Sequence, residues 1–367
     1  MEKRNSQQVY KTIMLIIITV LITALVTTIV IYNFVIKSGK IAIKSEDNSS
    51  LSGLEATLAS FRSVLEEKYM GEIDDEALIE GAIKGYVSAL GDPYTTYYTK
   101  EEMDELMEET TGNYVGIGIY MTLDLDNNAI YVVKPMEGSP AEEAGIQAGD
   151  LITKVDGKEY SGEELDQASN AIKGEEGTTV KLEILRDGET QELEVERRKI
   201  VVSHIVEKKF DNVGYLLIED FDGGCAKEFE EKYKELESQG IDRLIIDLRN
   251  NGGGVVDEAV SIADMLLDKD DTILITKDKK GNEEITKSEH NPTITMPVVV
   301  LTNGYSASAS EILVGALQDN ERATIVGTKT YGKGVIQEVD RLNDGSGLKI
   351  TIEEYYTPNK NEINKVG

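Results

Sequence analysis

The residues whose types and spacing can do covalent chemistry sit close together in the chain. They are the serines and glutamate of Ser306-Ala307-Ser308-Ala309-Ser310-Glu311, then Lys333 and Gln337 of Tyr331-Gly332-Lys333-Gly334-Val335-Ile336-Gln337. A hydroxyl at a helix start supplies a nucleophile. A lysine in a glycine-flanked strand supplies a base if its neutral form is populated near neutral pH. Burial achieves this, because a low-dielectric surrounding disfavours the ammonium and lowers its pKa. Gln337 lies at an even offset from Lys333, which in a strand puts both side chains on one face. Its amide oxygen can accept a lysine N–H and aim the lone pair. Ser306, Ser308 and Ser310 all qualify as the nucleophile on composition alone. Ser308 to Glu311 also fits a capping box, with the serine capping a helix and Glu311 reaching back.

Rival chemistries are short of parts. The chain has only two histidines and one cysteine, so Ser-His-Asp, Cys-His and zinc arrangements have few candidate parts, a serine–histidine hydrolase having only His204 or His290 to use. No metal and no cofactor is expected. His204 follows the strand-like Val201-Val202, and His290 lies in a polar loop before Pro292; neither neighbours a catalytic-looking motif. Asp247-Leu248-Arg249-Asn250-Asn251-Gly252-Gly253-Gly254 is more informative. Its glycines let backbone N–H groups turn toward a substrate carbonyl. An oxyanion hole is expected from the N–H of Gly253 or Gly254 together with that of Ala309, where the positive end of a helix dipole adds to the effect. The loop lacks the Gly-Lys-Ser/Thr ending of a P-loop and the Gly-x-Gly-x-x-Gly of a dinucleotide site.

Elements must hold these residues in place. After Lys199 the pattern alternates strand and helix: strands over 214–218, 243–248 and 298–301, helices over 226–237, 256–267 and 311–318. Such alternation predicts a sheet covered by helices, with sites at the carboxyl ends of strands. Upstream, apolar residues spaced near 3.6 over 54–90 predict two or three helices, stopped by Gly91-Asp92-Pro93. Thr99 caps another. From Tyr114 the period changes to that of strands, with turns at Asn127-Asn128, Asp156-Gly157 and Asp187-Gly188 and two short helices.

Composition bounds the rest. The chain has 367 residues, is 40% hydrophobic and 29% charged, and carries a net charge of −30. That predicts two or three folded domains and no nucleic-acid partner, because so acidic a surface repels phosphates. The run 13–36 is apolar over a length that spans a bilayer as a helix. Lys3, Arg4 and Lys11 precede it, which favours a cytoplasmic N-terminus. The expectation is a single-pass membrane protein with its catalytic part outside the cytoplasm. The expected order is a cytoplasmic segment 1–12, the anchor 13–36, a tether 37–52, a helical part 53–112, an inserted domain 113–197 and an α/β domain 198–367. The amphipathic N-terminal helices are able to pair two chains into a homodimer or to pack on their own core, and the pattern favours the second slightly.

Residues 113–197 resemble a PDZ domain of the bacterial protease type. The resemblance rests on Val115-Gly116-Ile117-Gly118, Gly138-Ser139-Pro140-Ala141-Glu142-Glu143-Ala144-Gly145, Gly149-Asp150 and Val155-Asp156-Gly157. PDZ domains bind a C-terminal peptide as an added strand. Here Gly116 to Gly118 would cradle the terminal carboxylate, and Ile117 and Ile119 would line the tail pocket. With the PDZ block, four more stretches resemble the C-terminal processing peptidases, or tail-specific proteases. They are Ala89-Leu90-Gly91-Asp92-Pro93-Tyr94, the glycine loop 247–254, Asn303-Gly304-Tyr305 leading into 306–311, and Gly332-Lys333-Gly334. The family implies Ser308 as nucleophile, Lys333 as base and Gln337 as its positioner. It implies an α/β, crotonase/ClpP-like core interrupted by the PDZ domain; with the helical segment and the anchor read above, the expected fold adds an N-terminal helical segment and one transmembrane helix. It also implies that protein C-termini are the partners, cut through an acyl-enzyme. A silent PDZ scaffold tethered to the membrane is the alternative. Similar proteins continue past a stretch like Tyr355-Tyr356-Thr357-Pro358, so a closing segment beyond Gly367 is expected.

Overall fold

The computed structural model describes Thr23 and residues 51–367, apart from 113, 125–126 and 201. Contacts divide the chain into two units, residues 1–79 and 80–367. Apart from Thr23, the expected anchor 13–36 lies outside the described residues, as does most of the tether.

Helix α1 (Leu51–Lys68) begins where the tether was expected to end. It carries Glu55, Arg62, Glu66, Glu67 and Lys68, charges that a bilayer interior penalises. Among the described residues no helix is long and apolar enough to cross a membrane. The transmembrane helix, and the single-pass membrane location drawn from it, are corrected accordingly: hydropathy along a window shows what a run could do in lipid, and the described residues supply no such helix. Helix α2 (Asp75–Ser88) follows, with Asp75 and Glu76 in its first turn, where the helix dipole favours negative charge.

Within residues 80–367, β1 (Thr96–Tyr98) leads into α3 (Lys100–Thr111). Thr99 caps α3 in both directions. The Glu102 N–H donates to its Oγ1 at 3.2 Å, and its own N–H donates to Glu102 at 2.8 Å. Short strands β2 (Tyr114–Gly116) and β9 (Arg198–Ile200) pair antiparallel at the two ends of the inserted domain. Between them lies a six-stranded sheet ordered β3-β4-β5-β7-β8, with β6 added on β5. Its strands are β3 (Ile119–Asp124), β4 (Ala129–Pro135), β5 (Leu151–Val155), β6 (Lys158–Glu159), β7 (Thr179–Arg186) and β8 (Glu189–Glu196). Asp156 and Gly157 turn β5 into β6 with φ of 49° and 82°, the left-handed pair that a two-residue hairpin demands. The helices are α4 (Pro140–Glu143) and α5 (Leu165–Ile172). Ile117, Ile130, Ile152, Leu182 and Ile184 form the centre of a separate core, all with no exposure.

The larger core belongs to the α/β part. Its sheet is ordered β10-β11-β12-β15-β16, from β10 (Ile205–Phe210), β11 (Val213–Ile218), β12 (Arg243–Asp247), β15 (Val298–Thr302) and β16 (Ala323–Gly327). Strands β11, β12, β15 and β16 run parallel and β10 antiparallel at the edge. Helices α6 (Cys225–Ser238), α7 (Val256–Leu266) and α8 (Ala309–Asp319) bury Phe229, Ile262 and Leu313 in the same cluster. A second sheet is built from β13 (Thr272–Asp278), β14 (Glu283–Lys287), β17 (Val335–Arg341) and β18 (Gly347–Tyr356), with β1 on its far edge.

Candidate active site

Strands β12 and β15 are parallel neighbours, so their carboxyl ends lie side by side. The glycine loop leaves one and the serine loop leaves the other. Asn251 stitches the two together. It is fully buried; its side chain donates to Ile218 O at 2.9 Å, and its carbonyl accepts from Ala307 N–H at 3.0 Å.

The three serines separate by environment. Ser306 is fully buried and its Oγ donates to Leu248 O at 2.7 Å. Ser310 is equally buried and donates to Asn251 O at 3.1 Å. Both hydroxyls are committed to backbone carbonyls. Ser308 lines a cavity of about 390 Å³ that also holds Lys333 and Gln337. It is 8% exposed, and so less open to solvent than a strand–helix turn suggests. Its backbone is strained, at φ 55° and ψ −116°, which an L-residue keeps only where the surroundings impose it. Gly253 packs directly beneath. A Cβ there would stand 2.8 Å from Ser308 Cβ and 3.1 Å from Ala309 N.

The expected donors are placed as follows. Gly253 N–H donates to Asn251 Oδ1 at 2.8 Å, so it is already engaged. Phe221 pairs with the residues on either side of Gly254: its N–H donates to Gly253 O at 3.0 Å, and its carbonyl accepts from Val255 N–H at 2.9 Å. The Gly254 N–H takes no part in that pairing, and Gly254 lines the cavity. Ala309 is the first residue of α8, where N–H groups precede the intrahelical ladder.

Glu311 was legible as a capping residue, and the structure shows that it does more. Its buried carboxylate, 2% exposed, accepts from Ser308 N–H at 2.9 Å, Gly332 N–H at 2.7 Å and Lys333 N–H at 2.9 Å. One side chain therefore clamps the serine loop to the lysine loop. The capping box and the candidate nucleophile Ser308 coexist on the same turn. Tyr355 adds a second tie through its O–H, 2.7 Å from Lys333 O.

Lys333 precedes strand β17, which starts at Val335, and a bulge falls between Ile336 and Gln337. The same-face argument for Lys333 and Gln337 therefore does not apply as drawn, because it assumed one regular strand. Both side chains nonetheless line the one cavity. Gln337 Nε2 lies 3.3 Å from Thr351 Oγ1, which it donates to, leaving the amide oxygen as the group's acceptor. Burial lowers the Lys333 pKa below the ordinary lysine value; the nearby Lys349 charge adds to this, and Asp92 and Glu311 oppose it.

Other expected residues lie elsewhere. Gly116 ends β2, Gly118 adopts φ 74°, and Ile117 and Ile119 are buried in the inserted domain's own core. His204 pairs with Asp220 at 2.6 Å and His290 with Asp264 at 2.7 Å; neither lines the Ser308 cavity.

A mostly parallel α/β sheet thus carries a serine at a helix start, and a six-stranded domain is inserted ahead of it. Residues 212–367 match peptidase family S41, 131–186 match the PDZ domain, and 32–102 match the activating protease CtpB N-terminal domain. The chain is 37% identical over 343 residues to the probable CtpA-like serine protease of Staphylococcus aureus (strain COL), covering 93% of this chain and 68% of that protein. It is 41% identical over 292 residues to the probable CtpA-like serine protease of Staphylococcus haemolyticus (strain JCSC1435), covering 79% and 58%. The chain thus spans about six-tenths of the length of that curated relative. Among solved structures it resembles the photosystem II D1 C-terminal processing protease, at 32% identity, 84% coverage of each chain and a TM-score of 0.48. The chain belongs to peptidase family S41, the C-terminal processing serine proteases, and carries a PDZ domain.

Proposed function

We propose that this chain cleaves proteins by an acyl-enzyme route, with Ser308 as nucleophile, Lys333 as base and Gln337 holding the lysine. The observation that carries the reading is the cavity itself. Of the three serines on the turn, Ser308 is the one that shares it with the half-buried Lys333 and with Gln337. Neutral Lys333 takes the Ser308 Oγ proton as the oxygen attacks the carbonyl carbon. The oxyanion rests on the N–H groups of Gly254 and Ala309, at the positive end of α8. Lys333 returns the proton to the leaving amine, and the same lysine then activates water to release the acyl group.

Substrate tails are recognised by the PDZ domain. Strand β3 is the edge of its sheet, which leaves a row of backbone groups for an added strand. The loop Gly116 to Gly118 at its start offers backbone N–H groups to a terminal carboxylate, as in an anion-binding nest. Leu54, Leu58 and Phe61, on one face of α1, are the surface through which two chains would pair.

The test is cleavage of an unstructured protein with an apolar C-terminus by the wild-type chain, Ser308→Ala and Lys333→Ala. Cleavage by the wild type alone supports the assignment. Undiminished cleavage by either variant refutes it for that residue. Binding of the tail without cleavage by any of the three would point to a peptide-binding scaffold.

A further inference from the structure

We propose that Tyr94 and Lys349 are positioning residues for the reaction, acting through Lys333 in opposite senses: the Tyr94 ring covers its ammonium, and Lys349 sets a second cation in the same cavity. The inference rests on Lys333 being the base.

Tyr94 comes from far along the chain. Gly91 turns with φ 71°, and Asp92 then organises the residues that follow. Its carboxylate accepts from Tyr94 N–H at 3.1 Å and from Thr95 Oγ1 at 2.6 Å. Thr95 Oγ1 in turn accepts from Thr351 N–H at 3.1 Å, which pins the turn to β18. The ring so held lies 4.8 Å from Lys333 Nζ. An aromatic face at that distance attracts a cation and does nothing for a neutral amine.

Lys349 lies on β18 opposite Val339 of β17, and it lines the cavity with Val339, Gln337 and Ser308. Its Nζ sits 5.3 Å from the Tyr98 ring, which steadies a charge facing Lys333. Two ammonium groups in one cavity disfavour each other, and the buried member yields its proton first.

The groups around Lys333 come from several elements. Lys349 faces it from β18, Asp92 from the turn before β1, and Glu311 from α8. Tyr331 stands near Tyr94, and Asp222 and Asp257 also line the cavity. Lys349 drives Lys333 toward the neutral form, while Asp92 and Glu311 drive it toward the charged form. The Tyr94 ring sides with the carboxylates. Removing the ring and removing the second cation must therefore shift the base in opposite directions.

Tyr94→Leu keeps apolar cover and loses the aromatic face, and Tyr94→Phe keeps the face and loses the hydroxyl. Lys349→Met keeps the stem and loses the charge, and Lys349→Arg keeps the charge. The rate constant kcat/KM is measured from about pH 6 to 10 on a quenched fluorescent peptide with an apolar C-terminus. The acidic limb of Tyr94→Leu should move down by about half a unit to one unit. That of Lys349→Met should move up by about one unit, a roughly tenfold loss on the rising limb. Tyr94→Phe and Lys349→Arg should follow the wild type. Independently of turnover, the pH dependence of Lys333 reductive methylation in a Ser308→Ala background, read by mass spectrometry, should show the same shifts. Limbs that stay in place, or that move in the same direction, overturn the proposal. Wild-type kcat/KM from Lys333→Ala would instead overturn the base assignment, and the present proposal with it. A dead Lys333→Ala with unmoved limbs sinks only the roles of Tyr94 and Lys349.

Discussion

Glu311 is the side chain whose loss should be felt most widely. Its carboxylate, 2% exposed, takes three backbone N–H bonds, from Ser308, Gly332 and Lys333. Glu311→Ala leaves those donors buried without a partner. Each costs about 1–3 kcal/mol when unsatisfied, and water entering the vacated space recovers part of it. A net loss of about 3–5 kcal/mol is expected, a large share of the roughly 5–15 kcal/mol that holds a domain together. Glu311→Gln keeps one acceptor and turns an NH2 group toward a donor, so its cost should be near 1.5–3 kcal/mol, about that of a hydrogen bond to a charged group. The clamp also sets the distance between the serine loop and the lysine loop, and a shift of about 1 Å there should lower kcat by roughly a hundredfold. Glu311 further holds the Lys333 pKa up, so loss of its charge should move the acidic limb to lower pH. Urea unfolding and kcat/KM against pH on both variants test this. If Glu311→Ala unfolds within about 1 kcal/mol of the wild type and keeps its kcat, the clamp is not there.

Two further outcomes are expected. Gly253→Ala should lower activity at least about a hundredfold, because Gly253 sits at φ 107° and the new methyl would stand 2.8 Å from Ser308 Cβ, whereas Gly252→Ala, next to open space, should be nearly silent; initial rates on one peptide compare them. The His204–Asp220 pair, 2.6 Å apart, should make stability depend on pH. The His204 pKa is raised, chiefly by the Asp220 carboxylate against its ring, so its contribution is full below the unfolded value of 6.5 and fades as pH rises through the folded one. Asp220 is lowered on balance: burial, the largest influence, raises it, but the His204 ring against it leads the opposing influences, so its contribution holds above 3.8 and fades as pH falls through the folded value. The Tm gap between wild type and His204→Gln should therefore peak between about pH 4 and 6.5, and a flat gap would count against the pair.

Much of this molecule can be read from local pattern. Buried-type runs became β12 and β15, and the Asp156-Gly157 pair turns β5 into β6. Thr99 caps α3, and the serine motif opens α8. Each of these depends on residues within one turn of each other, so a short window contains the cause. The ordered motifs likewise carried the family, because their sequence along the chain is itself the signal. The apolar run 13–36 reports hydropathy alone; it lies, but for Thr23, outside the described residues, among which no helix is long and apolar enough to cross a membrane.

What only the tertiary structure decided lies between distant segments. Composition left three serines open. Their separation came from Leu248 O and Asn251 O, carbonyls contributed by the neighbouring strand's loop. Glu311 reads as a cap until the lysine loop folds against it. Tyr94 reaches Lys333 only because its turn is pinned to β18. Whether a lysine can act as a base depends on how far it is desolvated and on which charges face it. Both are properties of packing across the whole chain, which no local stretch of sequence contains.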